Sequence, residues 1–164
     1  YLDADLAVSL DECYELKKYL SGNITFCFGS RILKLGSTIE RKRYRFLIGR
    51  IIATIISEML TLKVYDTQCG CKLFTKKLAE KLFASPFLSR WLFDVELFFR
   101  MLRFYGKEKA LTKMVEIPLV KWQDRGDSKV KMTYFFRLFV DLYQIKNRYN
   151  KMVSPTNVID EGLL

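Results

Sequence analysis

Asp66-Thr67-Gln68-Cys69-Gly70-Cys71-Lys72-Leu73-Phe74 passes from polar loop residues through a glycine into an apolar pair, the pattern of a loop feeding a short β-strand. Upstream, Ile24-Thr25-Phe26-Cys27-Phe28 is rich in strand formers and stops at Gly29-Ser30-Arg31. Arg31 is therefore expected at a strand's C-terminal end, where α/β sheets gather their sites. From Arg41 onward Ile48, Ile51, Ile52, Ile55, Ile56 and Met59 recur at helical spacing, and Arg41, Lys42, Arg43, Arg45 and Arg50 crowd the first half. Basic charge at a helix start opposes the dipole, so an external anion is expected there.

Outward from this centre, Leu2 to Leu6 reads as the end of a strand, and Ser9-Leu10-Asp11-Glu12 is a capping box opening a helix to about Leu20, closed by Gly22. On the other side Thr75 caps a short helix through Phe83, and Pro86 ends that unit. A longer helix is expected from Phe93 to Tyr105, stopped by Gly106. Lys113 to Trp122 alternates as one strand, with Pro118 pointing to a sheet edge. Gln123 to Lys129 reads as a polar loop, Met132 to about Tyr149 as an amphipathic helix, and the residues after Asn150 as a frayed tail. Helices mixed with strands argue an α/β domain without internal repeats.

The 164 residues, half of them hydrophobic, suffice for one core and are too few for two. A net charge of +10 calls for an anionic partner, with nucleic acid, anionic lipid and phosphorylated ligands all qualifying. Histidine is absent and Cys13, Cys27, Cys69 and Cys71 are scattered, which argues against zinc and for reduced, buried thiols in a cytosolic chain. The longest apolar stretch, Phe46 to Leu62, is broken by Arg50 and Glu58, so no spanning helix is expected. The sequence opens at Tyr1 with no secretory signature, and a preceding segment is expected.

Asp3-Ala4-Asp5 places two carboxylates after an apolar residue, an arrangement that offers oxygen ligands to a hard divalent cation and, through it, to a nucleotide diphosphate. The same tripeptide also makes an ordinary turn. Arg31 presents a planar fork matched to phosphate oxygens, or to a surface carboxylate. Asp94 and Glu96 lie roughly 200° apart around a helix, so one of them is a bystander or cap.

These blocks, in order, are Asp3-Ala4-Asp5, Gly29-Ser30-Arg31, Asp66 to Phe74, Phe93-Asp94-Val95-Glu96-Leu97 and Ser128-Lys129-Val130. Together the set resembles the dolichyl-phosphate glucosyltransferases and related polyprenyl-phosphate glycosyltransferases. The resemblance implies a GT-A fold, a Rossmann-like α/β sheet, of which this chain is mostly the acceptor-side half. Residues 1–130 would belong to the catalytic domain, 131–150 form an amphipathic membrane-interface helix, and 151–164 a flexible tail. It implies transfer of a hexose, preferably glucose, from a nucleotide sugar such as UDP-glucose to a polyprenyl phosphate, with inversion, at the cytosolic face of a membrane.

By the same resemblance Asp5 binds Mg²⁺ or Mn²⁺ and Asp3 contacts the nucleotide sugar. Arg31 stands near the acceptor phosphate, and Asp66 and Gln68 orient sugar and acceptor groups. Asp94 positions the reactants and Glu96 accompanies it at the substrate, while Lys129 closes over a phosphate or remains a solvated charge. A phosphate monoester, with second pKa near ~6, is largely ionised at neutral pH, so no strong general base is required.

Two departures stand out: Cys71 replaces a customary aromatic residue, and the half that should precede Asp3 is absent. A noncatalytic membrane-docking fragment is therefore a rival reading. A processive synthase is disfavoured because Phe87 stands where the Gln of a Gln-x-x-Arg-Trp motif would precede Arg90-Trp91. Nucleic-acid binding lacks any recognition motif. The Ile-rich helix, about Arg41 to Leu60, suits a membrane interface or core packing and self-association alike, whereas the aromatic helix from Met132 to Tyr149 is read as meeting the membrane.

Overall fold

In the computed structural model residues 1–40, 43–123 and 132–150 are described. Their elements run α1 (Leu10–Lys17), β1 (Phe26–Ser30), β2 (Thr38–Glu40), α2 (Arg43–Leu60), β3 (Lys72–Phe74), α3 (Lys76–Leu82), α4 (Phe93–Lys113), β4 (Met114–Pro118), β5 (Lys121–Gln123) and α5 (Met132–Asn150). The mixed α/β class is as the sequence indicates.

β1 is buried at all five residues because it is the middle strand of the sheet, between β3 and β4. It pairs antiparallel with β3 (Phe26↔Phe74) and parallel with β4 (Phe26↔Met114 through Ser30↔Pro118). A bridge between Leu2 and Cys71 continues the ladder beyond β3, so the N-terminal segment lies along the same side. Gly29 is required by packing: a Cβ there would meet Leu119 Cδ2 at 2.8 Å and Cys69 Sγ at 3.2 Å. β2 and β5 form a separate parallel pair.

Helices α2, α4 and α5 supply the main core against β1. Phe26 stacks on Phe74 with centroids 4.6 Å apart and Phe28 meets Phe98 edge-on at 4.9 Å. Ile52, Ile56 and Leu60 of α2 and Leu138, Leu142, Ile145 and Tyr149 of α5 complete it. A smaller cluster of Val8, Leu16, Cys69, Cys71 and Leu119 fastens α1 beneath the 66–71 loop.

Several expectations need correction. α1 ends at Lys17, and only half of the capping box forms. Glu12 N donates to Ser9 Oγ at 3.4 Å, but the Glu12 carboxylate turns inward and accepts from Val120 N (3.2 Å) and Lys121 N (2.7 Å). That contact bends the chain after Leu119, which is why the single strand expected over Lys113 to Trp122 is two, β4 and β5. Pro118 does sit on an outer strand of the three-stranded sheet.

Gly106 breaks α4 with φ 71°, yet the helix resumes to Lys113 rather than ending there. Of Leu2 to Leu6 only Leu2 pairs, and Leu6 has φ 52°. β2 was not anticipated, because three residues carry too short a period to be read.

The apolar face foreseen for α2 divides: Ile52 and Ile56 are buried, whereas Ile48 and Ile51 are exposed beside Leu47 and Tyr44. On α5, Phe139, Val140 and Tyr143 face outward while the opposite stripe enters the core. No helix among the described residues is long and apolar enough to cross a membrane.

Candidate functional site

The site grows from the end of β1. Glu116 on β4 lies beside Phe28 and reaches across to the next loop, accepting from Tyr65 N at 2.9 Å and Asp66 N at 2.8 Å. These bonds fix where Asp66 begins. Burial pushes the Glu116 carboxyl above its ordinary range, against the lowering effect of the two amides.

Asp66 then receives Arg31 three times: the backbone N at 3.1 Å, Nε at 2.6 Å and Nη2 at 2.8 Å. Burial alone would raise the Asp66 carboxyl, but the Arg31 charge and hydrogen bonds, with Lys72 behind them, hold it below the usual carboxylate range. The two fork bonds use two of the guanidinium's five donors. The Arg31 guanidinium also lies over the Trp122 ring, 5.4 Å from its centroid. A shallow cleft opens here between Arg31, Arg50, Tyr65, Asp66 and Gln68. Arg50 covers the Tyr65 ring at 3.6 Å and donates to Tyr65 O at 2.7 Å.

Behind the loop, Lys72 opens β3 with a fully buried side chain. Its Nζ is 2.6 Å from Asp94 Oδ1 and also donates to Cys69 O. Asp94 stands in the first turn of α4, a position favourable to a carboxylate. Burial nevertheless raises its pKa, Lys72 pulls it back, and the charges of Asp3 and Asp66 push it up further.

Asp3 enters from the N-terminal segment, with its backbone N on Gly70 O at 2.9 Å and its Oδ1 accepting from Tyr1 OH. Its carboxylate lies flat over Gly70, where a Cβ would come within 1.8 Å of Oδ2. Asp3, Asp66 and Asp94 thus share one corner with two cations, Arg31 and Lys72.

No family model matches this chain, and no solved structure matches it. Among curated proteins it is 33% identical over 150 residues to a dolichyl-phosphate beta-glucosyltransferase of Trichomonas vaginalis, covering 88% of this chain and 42% of the relative. The human dolichyl-phosphate beta-glucosyltransferase is 28% identical over 159 residues, 90% of this chain and 46% of the relative. The chain belongs to the dolichyl-phosphate glucosyltransferase family. It is also 29% identical over 133 residues, 80% of this chain, to a glycosyltransferase of Haloferax volcanii, of which it covers 20%. This family member spans less than half the length of these curated relatives.

Five residues singled out by sequence come together in this family member: Asp3, Arg31, Asp66, Gln68 and Asp94. Two do not join them, and a third lies outside the described residues. Asp5 is exposed and its Oδ1 accepts from Ala7 N at 3.0 Å, a local turn contact. Glu96, expected at the substrate, is fully buried elsewhere. It accepts from Arg100 Nη2 (2.9 Å), Tyr149 OH (2.8 Å) and Leu88 N (2.8 Å), so its oxygens are committed to tying α4 to α5. Lys129, with Ser128 and Val130, lies outside the described residues.

Three residues of the site were missed. Lys72 and Glu116 are lone charges inside apolar strands, a signal that was available in Cys71-Lys72-Leu73 and Val115-Glu116-Ile117. Arg50 reads in the sequence only as part of the basic first half of its helix.

The donor set near the N-terminus is carboxylate oxygen, which suits Mg²⁺ or Mn²⁺. Among the described residues no group of three or more acidic or thiol side chains is arranged to hold a metal ion by itself. Mg²⁺ is commonly held by one or two carboxylates plus substrate phosphates, and the exposed carboxylates of Asp3 and Asp5 are what the N-terminal segment offers to that mode.

Proposed function

We propose that this chain is the acceptor-side part of an enzyme that transfers glucose from a nucleotide sugar, UDP-glucose, to a polyprenyl phosphate such as dolichyl phosphate. The reading rests above all on the Arg31–Asp66 pair, placed at a cleft that Arg50, Tyr65 and Gln68 also line, with the charges of Asp3 and Asp94 close by, in a chain of this family.

In the proposed reaction an oxygen of the acceptor phosphate attacks the anomeric carbon from the face opposite the leaving nucleoside diphosphate. A bond from carbon to lipid phosphate forms as the bond to the diphosphate breaks, and the configuration inverts. Arg31 keeps donors beyond those taken by Asp66, and these would hold the incoming phosphate. Asp66 fixes the plane of that fork. The Gln68 amide, at the cleft wall, would orient a sugar hydroxyl. Asp94, kept in place by Lys72, would hold the sugar or acceptor against rotation.

Asp5 would hold Mg²⁺ or Mn²⁺ with Asp3 beside the nucleotide sugar, and the bound ion would supply neutralisation of the departing diphosphate. The fold required is of the GT-A type, and the mixed sheet ending at Arg31 accords with it. We place the protein at the cytosolic membrane surface. Exposed Tyr44, Leu47, Ile48 and Ile51 on α2, with basic Arg43 beside them, and Phe139, Val140 and Tyr143 on α5 support that docking.

Because the chain spans under half of its relatives, a noncatalytic membrane-docking role is the second reading. One experiment separates them. The full-length polypeptide is incubated with polyprenyl phosphate vesicles and a panel of nucleotide sugars, and lipid products are read by mass spectrometry. A glucosyl-phosphoryl-polyprenol product supports transfer, and Arg31→Ala is expected to raise KM for the lipid phosphate more than for the sugar nucleotide. Absence of product together with retained vesicle binding would favour the docking role.

A further inference from the structure

Cys13 and Cys71 are 58 residues apart in sequence, yet their Sγ atoms lie 3.4 Å from each other, and all four cysteines are free thiols. Cys13 is half-buried on α1, whereas Cys71 is fully buried where the 66–71 loop meets β3. Neither has a part in the transfer chemistry proposed above. α1 is anchored by Glu12 to the β4–β5 bend and by Leu16 to the small core, which holds Cys13 over its partner. A disulfide needs about 2.05 Å between sulfurs, so closure asks for a side-chain-scale approach.

We propose that Cys13 and Cys71 form a reversible dithiol modification site that closes to an intramolecular disulfide under peroxide-class oxidants. The Cys13 thiolate attacks one peroxide oxygen, the O–O bond breaks, and the departing hydroxide takes a proton to leave as water. Cys13 is then a sulfenic acid. The Cys71 sulfur attacks it, the S–O bond breaks, and the hydroxyl leaves with the Cys71 proton as a second water. Two thiols lose two electrons and two protons, and one peroxide becomes two waters.

Cys71 acts second because burial and the neighbouring Cys13 sulfur keep its thiol well above the ordinary range. Burial likewise pushes Cys27 to about 11 and Cys69 to about 12, which keeps them out of the first step. Cys71 also pairs with Leu2 and follows the glycine that Asp3 covers, so the bond would stitch α1 to the segment carrying Asp3.

The test uses the reduced full-length protein treated with hydrogen peroxide, alkylated in denaturant, digested and read by mass spectrometry. The expected result is a Cys13–Cys71 linked peptide, loss of two alkylatable thiols, those of Cys13 and Cys71, and their return with dithiothreitol. Cys13→Ser should leave Cys71 fully alkylatable after the same treatment. The proposal is overturned if both cysteines of folded wild-type protein stay alkylatable, if Cys13 runs on to sulfinic acid unlinked, or if the linkage joins Cys27 or Cys69. It also fails if protein oxidised while unfolded gives the same yield of the 13–71 link. None of these readouts uses glucosyl transfer, so failure here leaves that reading untouched, and the reverse holds.

Discussion

Replacing Asp66 by Asn keeps the shape of the side chain and removes its charge, leaving Arg31 facing an amide. The two side chains are 17% and 9% exposed, so solvent screening does not cancel their attraction as it does for surface pairs. Breaking a buried pair costs ~3–5 kcal/mol, and the lower end applies because Arg31 keeps Trp122 and a share of solvent. With an unfolding entropy of about 2.1 cal/mol/K per residue, 164 residues give about 0.34 kcal/mol/K, and a 3 kcal/mol loss lowers Tm by about 9 °C.

The pH dependence carries a sign. The folded Asp66 carboxyl titrates below its unfolded value, so its contribution is present above the ordinary carboxylate pKa, ~3.9, and is lost as pH falls through the folded value. Thermal melts of wild type and Asp66→Asn should therefore differ by the full amount at pH 7 and at pH 5, and converge only below about pH 4. A gap under about 3 °C at neutral pH, or one that closes between pH 7 and pH 5, would refute the buried-pair account.

Three further outcomes follow from the same corner. Gly70→Ala puts a methyl where Asp3 lies, and calorimetry on the full-length protein should show nucleotide-sugar affinity falling about tenfold, or ~1.4 kcal/mol, with Tm little changed; unchanged affinity would remove Asp3 from the donor side. Lys72→Met strands Asp94 at a cost of ~3–5 kcal/mol, and because a raised carboxyl destabilises only while ionised, acidifying from pH 7 to pH 5 should recover part of it. A loss that grows on acidification would contradict that assignment. Glu116→Ala leaves two amides without their acceptor, at about 1–3 kcal/mol each, so hydrogen exchange at Tyr65 and Asp66 should speed markedly, with Glu116→Gln intermediate; equal exchange in all three proteins would deny the anchoring role.

The α/β class and the placement of Arg31 just past β1 were legible because strand formers, glycines and caps act locally. What escaped depended on contacts distant in sequence. Nothing near Leu119 announces that Glu12 will bend the chain there, and nothing near Glu96 tells that Tyr149, 53 residues on, will share one of its oxygens with Arg100 while Leu88 N takes the other. The spacing of Asp94 and Glu96 did indicate that they serve different neighbours, and they do. For α2, periodicity identified the helix but not where its apolar stripe leaves the core, since tertiary packing takes Ile52 and Ile56 into the main core and leaves Ile48 and Ile51 exposed.

The parallel pairing of β1 with β4 has a kinetic consequence. Thr25 and Lys113, bonded at the mouth of that ladder, are 88 residues apart, so a long loop must close before the ladder, and with it the Glu116 anchor, can exist. The Arg31–Trp122 contact is completed only after that closure. In stopped-flow refolding, the slowest spectral change from the indole at 122 should therefore coincide with formation of the Arg31–Asp66 corner, giving an optical clock for its assembly.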